Sequence, residues 1–268
     1  MASGSESTAP VLTTEGPVAT VRLNRAHHLN RIEPEDLAAL HAILDRVEAA
    51  PALRVLVLTG TGRAFSSGYH LGDIAARNAA GPAGDPPADA PSFEGLANRL
   101  EDLAVPTICR LNGPVYGGAT DLALACDFRI GVETCEMFMP AARLGLHYYA
   151  GGLVRFVTRL GPDAAKALFL TARTLDAAQM LRIGYLTEAV PADRLDAAVA
   201  ALAGTLAANA PTVTRGMKRT INEIARGTLD AAAADRRHRD SLQGPEVREG
   251  VRAFAQKRPP VFDDPAPG

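Results

Sequence analysis

At 268 residues and 47% hydrophobic side chains, the chain is long enough to bury a full core without disulfide or metal staples. A formal net charge of -2, with the basic residues scattered along the chain, excludes the electrostatic footprint of a nucleic-acid partner. Cys109, Cys126 and Cys135 are odd in number and sit in apolar runs, so buried thiols are expected rather than a disulfide framework, and no apolar run is long enough to span a bilayer.

Residues 1–10 are small and polar and are expected to form a disordered tail. With no basic and apolar leader, the expectation is a soluble, cytoplasmic protein with no membrane partner. Val18 to Leu23 alternates like a half-exposed strand, and Pro34 to Ala49 has apolar residues at helical spacing with Pro34 in the first turn. Arg54 to Thr59 reads as a buried strand. Phe93 to Leu103 then reads as a helix, Thr107 to Leu111 as a strand, Gly118 to Ala125 as a helix and Phe128 to Ile130 as a strand. This alternation predicts a layered α/β fold. Between them, Ala75 to Pro91 is so poor in large apolar groups that a mobile loop is expected, either a surface insertion or a lid. Beyond residue 160 strand signals nearly vanish, and helical patterns are bounded by Pro162, Pro191, Pro211 and Gly227. The Pro-rich end, Pro259 to Gly268, is expected to lie across the surface.

Two glycine-rich stretches suggest chemistry. Phe65 to Leu71 (FSSGYHL) and Val115 to Asp121 (VYGGATD) each follow a β-branched apolar run and lead toward a helical pattern. Where glycines strip side-chain cover from backbone N–H groups near a helix N-terminus, the negative oxygen of an enolate or tetrahedral intermediate can bind. Gly60-Thr61-Gly62 also follows a strand, but Phe65 stands where a dinucleotide fingerprint needs its third glycine. No GxSxG nucleophile elbow is present, and the histidines, His27 and His28 among them, lack metal-ligand spacing. No metal is expected.

The full set of motifs resembles the crotonase superfamily, the enoyl-CoA hydratase/isomerase family. The matching segments are Val21 to Arg25 (VRLNR), Leu58 to Gly68 (LTGTGRAFSSG), Gly113 to Gly118 (GPVYGG) and Leu122 to Asp127 (LALACD). Phe138 to Gly145 (FMPAARLG), Gly151-Gly152 and Phe254 to Pro259 (FAQKRP) extend the match to nearly the whole chain. The resemblance implies a crotonase-like spiral of β-β-α turns over residues 11–200, with a C-terminal helical trimerisation region over 201–268. It further implies acyl-CoA thioester substrates, with coenzyme A as part of the substrate and no other cofactor, and a homotrimer or dimer of trimers. The family's two oxyanion donors map onto the backbone N–H groups of Tyr69 and Gly118. The CoA-binding positions map onto Ser67, Gly68, Tyr69, His70, Leu71, Gly72, Gly117 and Gly118, with Arg25 and Lys257 as phosphate partners or solvated surface charges.

Departures from the family pattern bear on the reaction. Family hydratases carry two glutamates. This chain has Asp121 at the first position and Ala141 at the second. The expectation is a single-carboxylate site, with Asp121 as the proton-transfer group and Tyr148 assisting, in a hydratase, isomerase or related lyase. The plain alternative for Asp121 is a carboxylate that complements a helix dipole. Tyr148 matches a tyrosine of decarboxylating members; its phenol could donate to a substrate carboxylate or simply wall the acyl pocket. His70 is expected to be structural, and His147 stands closer to the acyl end. Two alternatives remain: a decarboxylase of a malonyl-type thioester, and a catalytically silent acyl-CoA binder.

Overall fold

Val55 to Gly60 forms a strand with every residue buried, and such a strand needs partners on both edges and cover on both faces. It finds them in a six-stranded sheet. In a computed structural model that describes residues 8–80 and 90–264, the sheet runs β1 (Val11–Glu15), β2 (Val18–Leu23), β3 (Val55–Gly60), β4 (Thr107–Leu111), β6 (Phe128–Val132) and β9 (Glu188–Val190). All neighbours pair in parallel except β1, which turns back on β2. A second sheet of β5 (Val115–Tyr116), β7 (Glu136–Phe138) and β8 (Leu175–Asp176) lies beside it. Successive turns of chain place one strand in each sheet and then a helix: β4, β5 and α4 (Ala119–Ala125), followed by β6, β7 and α5 (Ala150–Leu160). That is the spiral of β-β-α turns implied by the resemblance.

Helices α1 (Pro34–Glu48) and α3 (Phe93–Asp102) turn apolar stripes inward, Leu37, Leu40, Leu44 and Val47 from one and Leu96 and Leu100 from the other. Short α4 is buried on every side. Its sequence ATDLALA suits this, apart from one carboxylate at Asp121. Cys109, Cys126 and Cys135 are buried free thiols.

Several sequence expectations need correction. Residues Ala75 to Ala80 are not loop: they belong to α2 (Leu71–Ala80), because Ala and Leu sustain a helix even without a broad apolar face. Residues 81–89 of the expected loop, 1–7 of the expected tail and 265–268 lie outside the described residues. Strands β8 and β9 do occur beyond residue 160; their two and three residues are too short to carry a period. Helix α6 (Pro162–Thr171) precedes β8, and α7 (Ala177–Arg182) runs between β8 and β9.

The last third is helical, as α8 (Leu195–Ala208), α9 (Pro211–Ala225), α10 (Ala231–Gln243) and α11 (Pro245–Ala255). Among the described residues no single helix is long and apolar enough to cross a membrane. Arg54 holds the chain end to the core through Phe262 O at 2.6 Å and Asp264 at 3.0 Å. Polar contacts seat α9: Lys218 Nζ meets Asp127 at 2.8 Å, Asn222 donates to Glu101 O, and Arg226 beyond the helix reaches the Glu101 carboxylate at 2.7 Å.

Glu101 on α3 is only 8% exposed and also takes Arg159 of α5 at 3.0 Å. Burial opposes its charge, but Arg155, Arg159 and Arg226 together hold its pKa below the usual carboxylate range. A carboxyl whose folded pKa is depressed stabilises the fold above its unfolded value, about 4.3, and that contribution fades as pH falls toward the lower folded value. Glu101→Gln should therefore destabilise at neutral pH by about 3–5 kcal/mol and flatten the loss of stability below about pH 4.3, read from urea unfolding across pH.

Candidate active site

The first glycine stretch leaves the end of β3 and folds back under Gly60. A side-chain Cβ there would stand 2.3 Å from Phe65 O and 2.7 Å from the Asn30 amide nitrogen, so only glycine permits the turn. Asn30, 1% exposed and at φ 53°, ties this loop by donating to Thr61 O at 2.8 Å, Ala64 O at 2.9 Å and Phe65 O at 3.1 Å. Asn tolerates that left-handed backbone better than most residues. Ser66 Oγ donates to Asn30 O and accepts from Gly68 N.

Ile32 N donates to Gly68 O at 2.9 Å and His70 N to Ile32 O at 3.0 Å. In this parallel bridge the peptide groups of Tyr69 face away from Ile32. That stretch is stitched to the first by Phe65 N to Pro114 O and Tyr116 N to Ser66 O. Gly117 turns at φ 53° and Gly118 caps α4. Among the described residues no acceptor takes the Gly118 N–H. Gly68, at φ +89°, lies so close that a Cβ on it would be 2.8 Å from Gly118 N. The two stretches thus meet backbone to backbone. Phe93 of α3 packs over this meeting point: a Cβ on Gly118 would be 3.0 Å from its ring, and its centroid is 5.8 Å from that of Tyr69.

Asp121, one turn into α4, has no exposed surface. Arg155 Nη1 reaches both its oxygens, at 2.7 and 2.6 Å, and Tyr149 donates a short hydrogen bond to Oδ2. Tyr148 in turn donates to the Tyr149 oxygen at 3.1 Å, the two rings stacking with centroids 4.3 Å apart. Arg155 also donates to Asn98 Oδ1 at 2.8 Å, and its Nε stands 3.3 Å from Glu101 without hydrogen-bond alignment. Burial first and the Asp121 charge second push the Tyr148 phenol well above its ordinary range. Tyr149 is raised as well, by burial and by Tyr148 and Asp121, so both stay protonated phenols at neutral pH.

Asp121 therefore does not offer an open carboxylate. Ala141 is 4% exposed and brings no second carboxylate to its position. Tyr148 is 7% exposed, packs on Phe169 at 5.2 Å, and already commits its proton to Tyr149. His147 is exposed, its Nδ1 on Tyr148 O, while His70 pairs with Glu33 at 2.7 Å. Arg25 is engaged by Asp36 at 3.1 Å and by Thr8 at 2.8 Å, so its guanidinium serves the start of α1. Lys257 is exposed at the end of α11, and Ser67, Leu71, Gly72 and Gly117 flank the two meeting loops.

Sequence reading did not single out Arg155, Phe93, Glu94 or Asn30. Arg155 left one trace, a charge between Val154 and Phe156 in an otherwise apolar turn of α5. Removing one partner of a buried ion pair leaves the other uncompensated, whereas replacing both by apolar groups can be neutral. Arg155→Met should cost about 3–5 kcal/mol by urea denaturation, and Asp121→Leu/Arg155→Met should recover most of that loss.

The model of the enoyl-CoA hydratase/isomerase family matches residues 13–265. The chain is 32% identical over 262 residues to the carnitinyl-CoA dehydratase of Proteus mirabilis, covering 94% of this chain and 97% of that one. It is 28% identical to the short-chain-enoyl-CoA hydratase of Clostridium acetobutylicum, over 92% and 95% of the two chains. Among solved structures, an enoyl-CoA hydratase/carnithine racemase from Magnetospirillum magneticum superposes with a TM-score of 0.89 at 27% identity, covering 97% of each chain. With a family match spanning nearly its whole length and the glycine stretches meeting as that family's motifs require, the chain belongs to the enoyl-CoA hydratase/isomerase family.

Proposed function

We propose that the protein converts an acyl-CoA thioester through an enolate held by the N–H groups of Tyr69 and Gly118, in a hydratase- or isomerase-type reaction. The observation that carries this reading is the approach of Gly68 to Gly118 N, beside an N–H that no acceptor among the described residues occupies. A thioester oxygen placed there accepts from main-chain donors already fixed by the loops. Under the Phe93 ring such donors act in an apolar surrounding, and each is typically worth ~3 kcal/mol toward the anionic transition state. Proton transfer at the acyl carbons falls to a carboxylate beside this pocket, supported by the buried cluster of Asp121, Tyr149 and Tyr148. Coenzyme A enters as part of the substrate and no further cofactor is invoked. A homotrimer or dimer of trimers in the cytoplasm completes the proposal.

A second reading, decarboxylation of a malonyl-type thioester, is favoured by Ala141 and by the closure of Asp121 behind Arg155. Loss of carbon dioxide leaves the electron pair on Cα, so the enolate forms without a base and the N–H pair supplies much of the catalysis.

Incubation with crotonyl-CoA, a 3-enoyl-CoA and methylmalonyl-CoA, followed by chromatography and mass spectrometry, distinguishes these. Water gain or double-bond migration is expected; loss of carbon dioxide alone establishes the second reading, and tight binding without turnover indicates a silent acyl-CoA binder. Gly118→Pro, which removes the N–H, should lower kcat by about 10²–10³-fold, while Gly118→Ala, which keeps it against a similar intrusion on Phe93, should lose less. Equal rates for Gly118→Pro and wild type would overturn the oxyanion assignment.

A further inference from the structure

The carboxylates around the site divide by what neutralises them. Asp121 is paired with Arg155, Glu101 with three arginines, and Glu33 with Arg31 and His70. Among the described residues Glu136 has no ion pair but accepts from the Tyr116 hydroxyl at 2.6 Å, whereas Glu94 has no cationic partner and one hydrogen bond, a long one of 3.4 Å from Gly151 N.

Its placement is specific. Glu94 follows Phe93, the residue that lies against Gly118 and Tyr69, and it is half-buried in the first turn of α3. Its Oε1 would be 3.0 Å from a Cβ on Gly151, so the carboxylate lies close against the backbone that follows Tyr149. The Glu94 charge is also one of the influences that raise the Tyr148 phenol, which puts the two groups within electrostatic reach. One helix turn thus carries an apolar wall and an unneutralised carboxylate to the same end of the site.

We propose that Glu94 is the carboxylate that exchanges a proton with the bound acyl group, and that Asp121 is a positioning residue that holds Tyr149 and, through it, Tyr148. The inference rests on the enolate reading above and names its proton carrier. Protonating Asp121 would strand Arg155 as a buried cation against a neutral acid; protonating Glu94 strands nothing. In hydration, Glu94 takes a proton from water as the water oxygen bonds to Cβ. The C=C pair then moves to the Cα–C1 bond and the carbonyl pair to the oxygen held by the two N–H groups. As the enolate collapses, Glu94 returns that proton to Cα, so hydrogen and hydroxyl are added and the carboxylate is regenerated. In isomerisation of a 3-enoyl thioester, the same group removes a proton from Cα and returns it at Cγ.

Glu94→Gln keeps an oxygen to accept from Gly151 N while removing the proton capacity. With the enoyl thioester that the wild type turns over, kcat should fall about 100-fold or more, with KM changed less than about threefold and Tm unchanged. The loss of kcat/KM toward acid pH seen in the wild type should vanish in Glu94→Gln. It should persist in Glu94→Asp and in Asp121→Asn, whose amide oxygen can still accept from Tyr149. Wild-type kcat and pH profile in Glu94→Gln would overturn the proposal, as would an activity loss that only tracks a fall in Tm. Failure of the wild type to turn over any enoyl thioester, or full activity in Gly118→Pro, would instead remove the enolate reading itself.

Discussion

The approach of Gly68 to the Gly118 amide is the constraint on which the rest of the site depends. Two main-chain segments can come this close only if neither carries a side chain at the contact, and Gly68 further occupies a backbone region that L side chains rarely adopt. Around that contact everything is arranged to keep the peptide groups from drifting. Asn30 secures one loop through three carbonyls, Gly117 N donates to Phe138 O, and the Ser66–Val115 bridge joins the two. Preorganisation of this kind matters because donors that need not reorient during reaction stabilise developing charge most effectively.

Behind the contact lies a chain of charge that begins at Asp121 and passes through Arg155 to Glu101, then to Arg159 and Arg226. It links α4, α5, α3 and the end of α9, so the floor of the site and the C-terminal helices share one electrostatic network. Buried pairs of this sort are poor sources of net stability but costly to break, which makes them effective at holding a geometry. The phenols of Tyr148 and Tyr149 complete it from the other side. Their hydrogen bonds run in one direction because an ionised carboxylate only accepts.

Where backbone donors hold the enolate, as proposed, the side chains that complete the reaction are free to differ. Here Ala141 is buried and offers no carboxylate, and Asp121 is locked to an arginine. The carboxylate proposed to carry the proton comes from α3 instead, next to the ring that roofs the proposed oxyanion pocket.

The amino-acid sequence by itself determined the alternation of strands and helices, the buried strands and the two glycine stretches, while the β-β-α spiral was implied only by the family resemblance. These rest on local rules: apolar runs, helical periods, and backbone conformations that only glycine adopts readily. The short strands β5, β7, β8 and β9 escaped it because two or three residues cannot display a period, and α2 escaped because its apolar face is narrow. Only the tertiary structure decided what Asp121 does, since Arg155 lies 34 residues away and Tyr149 28 residues away in the chain. A carboxylate's chemistry is set by which charges and phenols surround it in space, and no spacing along the chain encodes that.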